Sequence, residues 1–481
     1  VIGEVCLDGQ HFSPEVDVKR TYILQNGRPS TIMRPCPNQI DVQEWDRDPA
    51  IKPKSSDNLG ANVFERTPDD DKPGLSQDDR QFISQMDTEF KRDKNGSWVA
   101  PLPFCSSRRA LPNNKAQAMQ RAKLLDKGLR KNPKKWEHFQ TFMAKIIDNN
   151  HAEVAPELTE NEECWYLPLF GVYHPKKPDQ IRGVFDSSAT FDGVSLNNVL
   201  LTGPDLANSP LGVLLRFRKD MIAITADIQS MFHCFIVRED HRNYLRFLWY
   251  KDNDITKELI EYRMRVHVFG NSPSPAVANL GLRKAALEAE SKYGKDVVSF
   301  VTNDFYVDDG LTSCSTPESA IKLIKDTQSA LMEFGNLRLH KFASNSPEVM
   351  AALPHNDLAS NLKDLDLDAN NKPLQRSLGL TWDVNTDQFL FILSTDEKPV
   401  TRRGILSTIN SIYDPLGFLA PVIIYGKMLL RNLVSETVDW DEPVSDQIAS
   451  DWAKWKDTLK ALETIRSSRP NVAHLSQKPE R

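Results

Sequence analysis

The stretch Phe305-Tyr306-Val307-Asp308-Asp309-Gly310 joins two aromatic residues to a pair of adjacent aspartates and a glycine. Two neighbouring carboxylates at a tight turn concentrate negative charge, which is costly unless a cation binds them. Mg²⁺ prefers hard oxygen ligands of this kind. The stretch therefore indicates a metal site at the tip of a hairpin, although six residues alone leave open an ordinary solvated Asp-Gly turn.

A third carboxylate, Asp227, follows a run of strand-forming residues that begins at Met221. An aspartate in this position often only starts a turn, but it can also present a ligand at the edge of a sheet. Between this strand and the aspartate pair, residues 270–275 break the chain and open a helix. Such a βαβ-like unit predicts that Asp227 lies beside the pair. Three acids there can hold two Mg²⁺ ions about 4 Å apart and support phosphoryl transfer.

Phosphoryl transfer also needs cations that bind a triphosphate, and basic residues cluster before Asp227. Lys176, Lys177 and Arg182 fall in a segment that is predicted to pair as a hairpin, so Arg182 with either lysine can reach toward the phosphates. A second basic stretch, residues 108–135, contains ten basic side chains and one acidic side chain, a net charge of +9. This stretch is either a solvated helix face or a surface that contacts a phosphate backbone.

The composition bounds the class of protein. The chain has 481 residues, 40% of them hydrophobic and 26% charged, and a formal net charge of −6, so nucleic-acid binding would have to be a local property. It contains no apolar run of about 18 residues and no signal segment, which predicts an intracellular protein without membrane contact. The six cysteines lie far apart without a CxxC spacing, which favours reduced thiols over a zinc or disulfide site.

The chain changes character at Leu75. Residues 1–74 are rich in Pro, Asn and Asp without a sustained period, which predicts an irregular segment or linker. After Leu75, Ser76 and Asp79 form a capping-box pattern, and a helix is predicted to follow. Further strands and helices are predicted at residues 221–228, 245–250, 262–269, 276–293, 317–334, 337–342, 378–382, 388–393, 402–412, 421–433 and 444–462.

Several short motifs together resemble the reverse transcriptases of retroelements, and within them those of Pao and BEL long-terminal-repeat retrotransposons. Tyr306 to Asp309 resembles the Tyr-x-Asp-Asp box of that family, and Asp227 in Thr225-Ala226-Asp227-Ile228 resembles its first catalytic acid. The other motifs that carry the resemblance are Trp165-Tyr166-Leu167-Pro168, Val184-Phe185-Asp186-Ser187-Ser188, Val268-Phe269-Gly270-Asn271-Ser272-Pro273, His340-Lys341-Phe342-Ala343-Ser344-Asn345 and Tyr413-Asp414-Pro415-Leu416-Gly417. One short box is weak, whereas several in the family's order across about residues 75–465 are specific.

The resemblance implies an α+β fold of the right-hand polymerase type, with fingers, a palm built on an antiparallel sheet and a helical thumb. The implied divisions are an irregular N-terminal segment that could be the tail of an upstream protease region (1–74), a helical basic N-terminal extension of the fingers (75–159), the fingers and palm of the catalytic domain (160–395) and a helical thumb or connection (396–481). The family's polyproteins usually carry protease, ribonuclease H and integrase regions as well. No active-site pattern of these three enzymes occurs in this sequence.

The resemblance also implies roles for individual residues. Asp227, Asp308 and Asp309 would bind two Mg²⁺ ions, with Mn²⁺ as a substitute, and Lys341 would help to protonate pyrophosphate. The residues implied to bind the nucleotide are Arg182, Lys176, Phe232 beneath the sugar, Gly270 under the templating base pair, Tyr306, and Phe269, which stands where many retroviral polymerases carry Gln. The turn implied to grip the primer end contains Leu378, Gly379 and Trp382.

Phe232 has two interpretations. A rigid ring beneath the sugar would exclude ribonucleotides by clashing with the 2′-hydroxyl. Alternatively, Phe232 is a core residue that packs beside Met231 and Phe235, as aromatic side chains commonly do.

The expected function is that of an RNA-directed DNA polymerase, with an RNA template, a DNA primer, their hybrid and deoxynucleoside triphosphates as partners. We expect it in the cytoplasm, or in a particle if the element is active. The main alternative is a catalytically idle nucleic-acid-binding relic of a retrotransposon polyprotein, and an unrelated Mg²⁺-dependent hydrolase is a third. Because no ribonuclease H pattern follows the thumb-like helices, the chain is expected to copy RNA without degrading it.

Overall fold

The structure is a computed structural model that describes residues 74–174, 177–359, 374–392, 397–435 and 439–470. The chain divides into two units, Val1–Gly74 and Leu75–Arg481, and all described residues except Gly74 belong to the second. The predicted irregular segment (1–74), apart from Gly74, and the predicted ligand Lys176 lie outside the described residues. The described part of the chain mixes α-helices with five small β-sheets.

The second unit begins with helices. The first helix, α1 (Gln77–Glu89), starts at Ser76, whose hydroxyl accepts the Asp79 backbone N–H at 3.1 Å while the Asp79 carboxylate accepts the Ser76 backbone N–H at 3.1 Å. This reciprocal pair is the predicted capping box, so the start of the helix is confirmed. The next elements are β1 (Lys91–Arg92), β2 (Trp98–Ala100), α2 (Lys115–Lys131), α3 (Pro133–Asp148) and β3 (Ala152–Val154).

A hairpin follows, formed by β4 (Leu169–His174) and β5 (Lys177–Phe185), which pair antiparallel as predicted. The helix α3 packs directly on this hairpin. Gly183 lies so close to it that an added Cβ would collide with the Phe142 ring, so glycine is required for this close approach. The chain then forms α4 (Leu196–Val199) and α5 (Pro210–Phe217).

The middle of the chain supplies the central sheet and the helices that cover it. The elements in order are β6 (Ile222–Ile228), β7 (Ile236–Val237), β8 (Arg246–Tyr250), β9 (Leu259–Met264), α6 (Ser274–Tyr293), α7 (Lys295–Asn303), β10 (Phe305–Tyr306), β11 (Asp309–Cys314), α8 (Pro317–Gly335), β12 (Leu339–Ser344) and α9 (Pro347–Ala351). The strand predicted at 262–269 is shifted toward the N-terminus, because β9 ends at Met264 and the chain then bends at Gly270, whose φ is 112°.

The central sheet has the strand order β10-β11-β6-β12, and all of its neighbouring strands are antiparallel. The sequence correctly predicted that the strands of Asp227 and the aspartate pair lie side by side. The βαβ-like interpretation would make these strands parallel and was wrong in this respect, whereas the antiparallel sheet that the resemblance implied agrees with the observed pairing. The chain passes through α6 and α7 and then reverses at the β10–β11 turn, so that β11 runs opposite to β6.

Two hydrophobic cores support this part of the fold. One lies under the central sheet, where buried residues of β6 pack with α6 and α8. The other lies between the β8–β9 ladder, the β4–β5 hairpin and α3, and it contains the fully buried Trp165, Phe139 and Trp249. Among the described residues, no helix combines the length and the apolar character needed to cross a bilayer.

The C-terminal part contains β13 (Leu374–Ser377), β14 (Leu380–Asp383), β15 (Gln388–Leu390), α10 (Arg402–Ser411), α11 (Ala420–Ser435), α12 (Asp446–Leu459) and β16 (Arg466–Ser468). The four strands form one sheet in the order β13-β14-β15-β16. The helices agree with the predicted helical character of this region. Arg469 is fully buried; it pairs with Asp387 at 2.7 Å and donates to the Phe217 carbonyl at 2.6 Å, so it fastens β16 to the middle of the chain.

Candidate active site

The three predicted metal ligands lie at one end of the central sheet. Asp309 on β11 is the register partner of Asp227 on β6. Asp308 lies in the β10–β11 turn, and its carbonyl oxygen accepts the Ile228 backbone N–H at 3.0 Å. Val307 in the same turn has a φ of 58°, a conformation that a β-branched residue adopts only where the surroundings hold it. The fold therefore fixes the turn that presents Asp308 and Asp309.

The electrostatics differ among the three carboxylates. Burial alone would raise the pKa of Asp227, but His340 Nε2 at 3.0 Å from Oδ1 and Lys341 Nζ at 2.9 Å from Oδ2 outweigh it and lower the pKa. Burial and the negative charge of Asp227 raise the pKa of Asp308. Burial, together with the charges of Asp308 and Asp227, raises the pKa of Asp309 to about 7. The acids at this end of the sheet thus carry more negative charge than their surroundings neutralise.

This donor set fits a divalent cation in its chemistry. Three carboxylates supply the hard oxygen ligands that Mg²⁺ and Mn²⁺ take, and a bound cation would relieve the repulsion that raises the pKa of Asp309. Within the described residues, however, no three His, Cys, Asp or Glu side chains already stand in an arrangement that could hold a metal ion. Both oxygens of Asp227 contact basic side chains instead, Oδ1 contacting His340 and Oδ2 contacting Lys341.

Lys341 owes its position to an irregularity in β12. The register with β6 shifts between His340 and Ala343, and Lys341 itself has a φ of 53°. Bulges of this kind redirect a side chain and are frequent beside active sites. The Lys341 side chain remains 53% exposed while its Nζ bonds to Asp227, so it faces both the carboxylates and solvent.

A cavity of about 650 Å³ adjoins Lys341. Arg182 and Phe269, both predicted to bind the nucleotide, line it together with Lys341, and the helix α3 forms a further wall. Arg182 is exposed, and no carboxylate of the described residues lies within ion-pair distance of it. The volume lies within the range of roughly 300–1,000 Å³ that is usual for small-molecule sites. A nucleotide-sized ligand could therefore contact Arg182 and Lys341 at once.

Phe232 and Phe269 form an aromatic pair beside this cavity. Their ring centroids are 4.5 Å apart and the rings are tilted by 49°. Phe269 is 43% exposed, whereas Phe232 is half-buried and also packs against the core under the central sheet. Phe232 therefore has a core side and a side that touches the cavity wall, so both interpretations of this residue stay open.

Gly270 lies where two motifs of the predicted site meet. Its φ is 112°, and an added Cβ would overlap the Phe185 carbonyl oxygen. Asn197 holds the segment by donating from Nδ2 to the Gly270 carbonyl at 2.9 Å and by accepting the Ser272 backbone N–H at 2.9 Å. The end of β5 and the segment before α6 are thereby joined at one wall of the cavity.

The predicted primer grip is divided between surface and core. Leu378 and Gly379 form the β13–β14 turn, with φ values of 47° and 83°, and a Cβ on Gly379 would meet the Tyr413 ring at 2.6 Å. Tyr306 is half-buried and packs against the same hydrophobic cluster as Leu378. Trp382 is 1% exposed and donates its indole N–H to Asp387 at 2.9 Å. Its side chain cannot contact a primer directly, because it belongs to the core beneath the turn.

Sequence reasoning assigned no role to several residues at the site. His340 was quoted in a motif without a role, and its register position opposite Asp227 follows from the strand pattern only once the sheet order is known. Tyr413 was likewise quoted in a motif without a role. Asn197 reaches the site through tertiary contacts that leave no local signal. The same holds for the residues of α3 that line the cavity.

The basic stretch 108–135 is largely paired. Its ion pairs with acids are Arg108–Glu163, Arg109–Asp192, Lys115–Glu261, Arg121–Asp186, Arg130–Asp126 and Lys134–Asp179. Lys123, Lys127 and Lys131 are exposed, and in the part of the chain that the structure describes they have no ion-pair partner. Their spacing of four residues places them on one face of α2. A surface on this stretch that contacts phosphates would therefore use fewer basic residues than the ten of residues 108–135.

Comparison with protein families matches residues 401–480 to the Pao retrotransposon-like RNaseH-like domain. This segment resembles part of a Pao retrotransposon polyprotein. The solved structure of the foamy viral protease-reverse transcriptase dRH in complex with double-stranded DNA matches 82% of this chain, with 14% sequence identity and a TM-score of 0.46. The chain spans 59% of the length of that protein. No curated protein matches the chain.

The match at 401–480 corrects one expectation from the sequence, which was that no ribonuclease H-like region is present. The described residues there form α10, α11, α12 and β16, and they contain no group of three acidic, His or Cys side chains that could hold a metal ion. A search of the sequence for catalytic acids alone did not find this segment. The assignment of 396–481 as a thumb, like the right-hand layout as a whole, stays a prediction.

Proposed function

We propose that this chain is an RNA-directed DNA polymerase that carries out template-directed nucleotidyl transfer. The observation that supports the proposal most is the register of the central sheet, which sets Asp309 opposite Asp227 and places Asp308 in the adjoining turn. Lys341 links these carboxylates to the cavity that Arg182 also lines. Acids that can bind cations and basic groups that can bind phosphates thus stand side by side, as nucleotidyl transfer requires.

Each part of the site has a role in this proposal. Asp227, Asp308 and Asp309 would hold two Mg²⁺ or Mn²⁺ ions, which would supply activation of the primer hydroxyl and neutralisation of charge on the leaving phosphates. Arg182 would bind the triphosphate through charge-assisted hydrogen bonds. Lys341 would donate a proton to the leaving pyrophosphate, because its side chain reaches the same cavity.

The sugar, the base pair and the primer would meet other walls of the site. Phe232 and Phe269 would lie beneath the sugar, and Gly270 would let the backbone approach the templating base pair closely. The turn at Leu378 and Gly379 would contact the primer end, with Trp382 holding that turn from the core. The partners in this proposal are an RNA template, a DNA primer, their hybrid and deoxynucleoside triphosphates, in the cytoplasm or in a particle.

Primer extension on an RNA template, with purified protein and Mg²⁺ or Mn²⁺, tests the proposal. Asp308→Asn should abolish incorporation while primer–template affinity stays within a few fold, because that affinity depends mainly on phosphate contacts. Asp296→Asn removes an exposed carboxylate from the first turn of α7 and should retain full extension. Full activity of Asp308→Asn would rule out the assignment of the metal ligands.

The same experiment separates the alternatives. A catalytically idle relic would bind the primer–template and extend nothing, with wild-type protein and with Asp308→Asn alike. A labelled RNA strand in a hybrid tests the ribonuclease H likeness of residues 401–480. The sequence contains no ribonuclease H active-site pattern, so we expect intact RNA after extension, and release of labelled RNA fragments would contradict this expectation.

A further inference from the structure

The strongest unassigned group beside the catalytic centre is Lys145. It lines the cavity of about 650 Å³ that also contains Arg182 and Lys341. It comes from α3, in the N-terminal extension, far in sequence from all the residues predicted to bind the nucleotide. Its side chain is exposed, and the described residues offer it no carboxylate within ion-pair distance.

The helix that carries Lys145 is held firmly against the hairpin that carries Arg182. The Phe142 ring fills the space above Gly183, which has no side chain, and Lys134 pairs with Asp179 at 2.6 Å. The opposite face of α3 is anchored in the core by Phe139, Met143 and Ile146. Lys145 is thus presented by a packed element rather than by a mobile loop, which is the condition for a precise binding contact.

The charges in the cavity favour an anion near Lys145. Two other charged side chains that line the cavity already have ion-pair partners: Lys341 pairs with Asp227, and Asp179 pairs with Lys134. Glu137 also lines the cavity, but it precedes Lys145 by eight residues on the helix, which is about 12 Å along its axis. Among the residues that the structure describes, Arg182 and Lys145 therefore have no acidic partner, although both line the cavity.

We propose that Lys145 is a further triphosphate-binding residue, which acts with Arg182 to hold the phosphates of the incoming nucleotide. This inference rests on the proposed function. It gives the N-terminal extension a direct part in substrate binding. The chemistry is that of an ammonium group and phosphate oxygens, which form strong charge-assisted hydrogen bonds in a partly enclosed site.

Equilibrium binding of inorganic tripolyphosphate to the whole chain, measured by displacement of a fluorescent deoxynucleoside triphosphate, tests this role without turnover. Lys145→Gln should weaken tripolyphosphate binding about tenfold, the size of effect that corresponds to about 1.4 kcal/mol, and Lys145→Arg should restore most of it. In primer extension, Lys145→Gln should raise the KM for the nucleotide and leave kcat nearly unchanged. Lys135→Gln is the matched control, since Lys135 lies on the same helix but does not line the cavity.

Arg182→Gln distinguishes the possible failures. If Arg182→Gln weakens tripolyphosphate binding and Lys145→Gln does not, the role of Lys145 is wrong while the nucleotide site stands. If neither change has an effect, the proposed nucleotide site itself is wrong. Lys145 is also in the last turn of α3, where a cation stabilises the helix dipole. If Lys145→Gln loses stability but binds tripolyphosphate as well as wild type, Lys145 only stabilises the helix and the proposal is wrong. Weaker primer–template binding with unchanged tripolyphosphate binding would also overturn the proposal.

Discussion

Gly270→Ala tests whether the fold depends on a close backbone approach beside the cavity. Gly270 has a φ of 112°, and a Cβ there would overlap the Phe185 carbonyl oxygen. Two penalties therefore apply at one position. One is the backbone conformation, which residues with a Cβ rarely adopt. The other is a collision with a main-chain atom, which no side-chain rotation can relieve.

Each penalty has a usual size. A residue held in a sparsely populated backbone region costs roughly 1–3 kcal/mol. Forcing extra volume into a packed site costs roughly 1–3 kcal/mol as well. Their sum of roughly 2–6 kcal/mol is a large part of the 5–15 kcal/mol by which a protein is ordinarily stable. We expect Gly270→Ala to be folded only at low temperature or low denaturant.

Two other glycines separate the penalties. Gly294 has a φ of 88°, but a Cβ there would meet nothing within 4 Å, so Gly294→Ala carries only the backbone cost. Gly128 lies inside α2 with no positive φ and nothing within 4 Å, so Gly128→Ala should stabilise by roughly 0.5–1 kcal/mol. Urea unfolding should rank the midpoints with Gly128→Ala highest, then wild type, then Gly294→Ala, and Gly270→Ala lowest.

The ranking can fail in two informative ways. Equal midpoints for Gly270→Ala and Gly294→Ala would mean that the Phe185 carbonyl moves aside without cost, and the close approach would not exist. A Gly270→Ala midpoint at or above that of wild type would reject both penalties. Since Phe269 lines the cavity next to this position, we also expect folded Gly270→Ala protein to bind nucleotide more weakly than Gly294→Ala.

Three further results are expected. Phe232→Val should incorporate ribonucleotides markedly better, with a modest loss of deoxynucleotide use. If Phe232 is purely structural, the same substitution should instead lower the free energy of unfolding by roughly 1–3 kcal/mol and leave the sugar preference unchanged. Replacing Lys123, Lys127 and Lys131 together by Gln should weaken the dependence of duplex affinity on salt, by roughly 0.9 in the logarithmic slope for each lost phosphate contact. An unchanged slope would mean that this face of α2 is solvated and does not contact phosphates. Burial and neighbouring charges raise the pKa of Asp309 from 3.8 to about 7 in the folded protein, so without divalent cations the folded state holds more protons than the unfolded state between these two pH values, and wild-type stability falls as the pH rises through them. Asp309→Asn should therefore gain more stability over wild type at pH 8 than at pH 4. An equal gain at both pH values would contradict the raised pKa.

Local signals in the sequence predicted much of the frame of the site. The capping box at Ser76 placed the start of α1, and the helix predicted at residues 317–334 ends within one residue of the observed end of α8 at Gly335. The strand ending near Asp227 and the turn at Asp308 also followed from residue types alone. These features depend on interactions within a few residues, which a single sequence carries in full.

Features that depend on distant contacts could not be predicted in this way. The residue pattern alone suggested a βαβ-like unit, and only the resemblance implied an antiparallel sheet, because the direction of β11 against β6 depends on how two helices return the chain. Trp382 looked like part of a surface turn, yet Phe217 and Asp387 enclose its ring in the core. The approach of α3 to the hairpin depends on Phe142 meeting Gly183, which are more than 40 residues apart in the chain. A glycine in a strand signals a close approach, but it does not name its partner.

The N-terminal extension is therefore part of the body that forms the site, although its sequence marks it only as basic and helical. Arg108 makes a two-pronged contact with Glu163 at 2.6 Å, and the Asn114 side chain donates to the Tyr166 carbonyl at 2.8 Å. The same extension supplies α3 as a wall of the nucleotide-sized cavity. The strained turn at Val307 and the repelling carboxylates beside it lie at the edge of this packed structure, and strain of that kind persists only where the surroundings hold it. Residues 75–159 thus support the proposed catalytic centre in two ways, by stabilising the scaffold around it and by enclosing the space in which its substrate would bind.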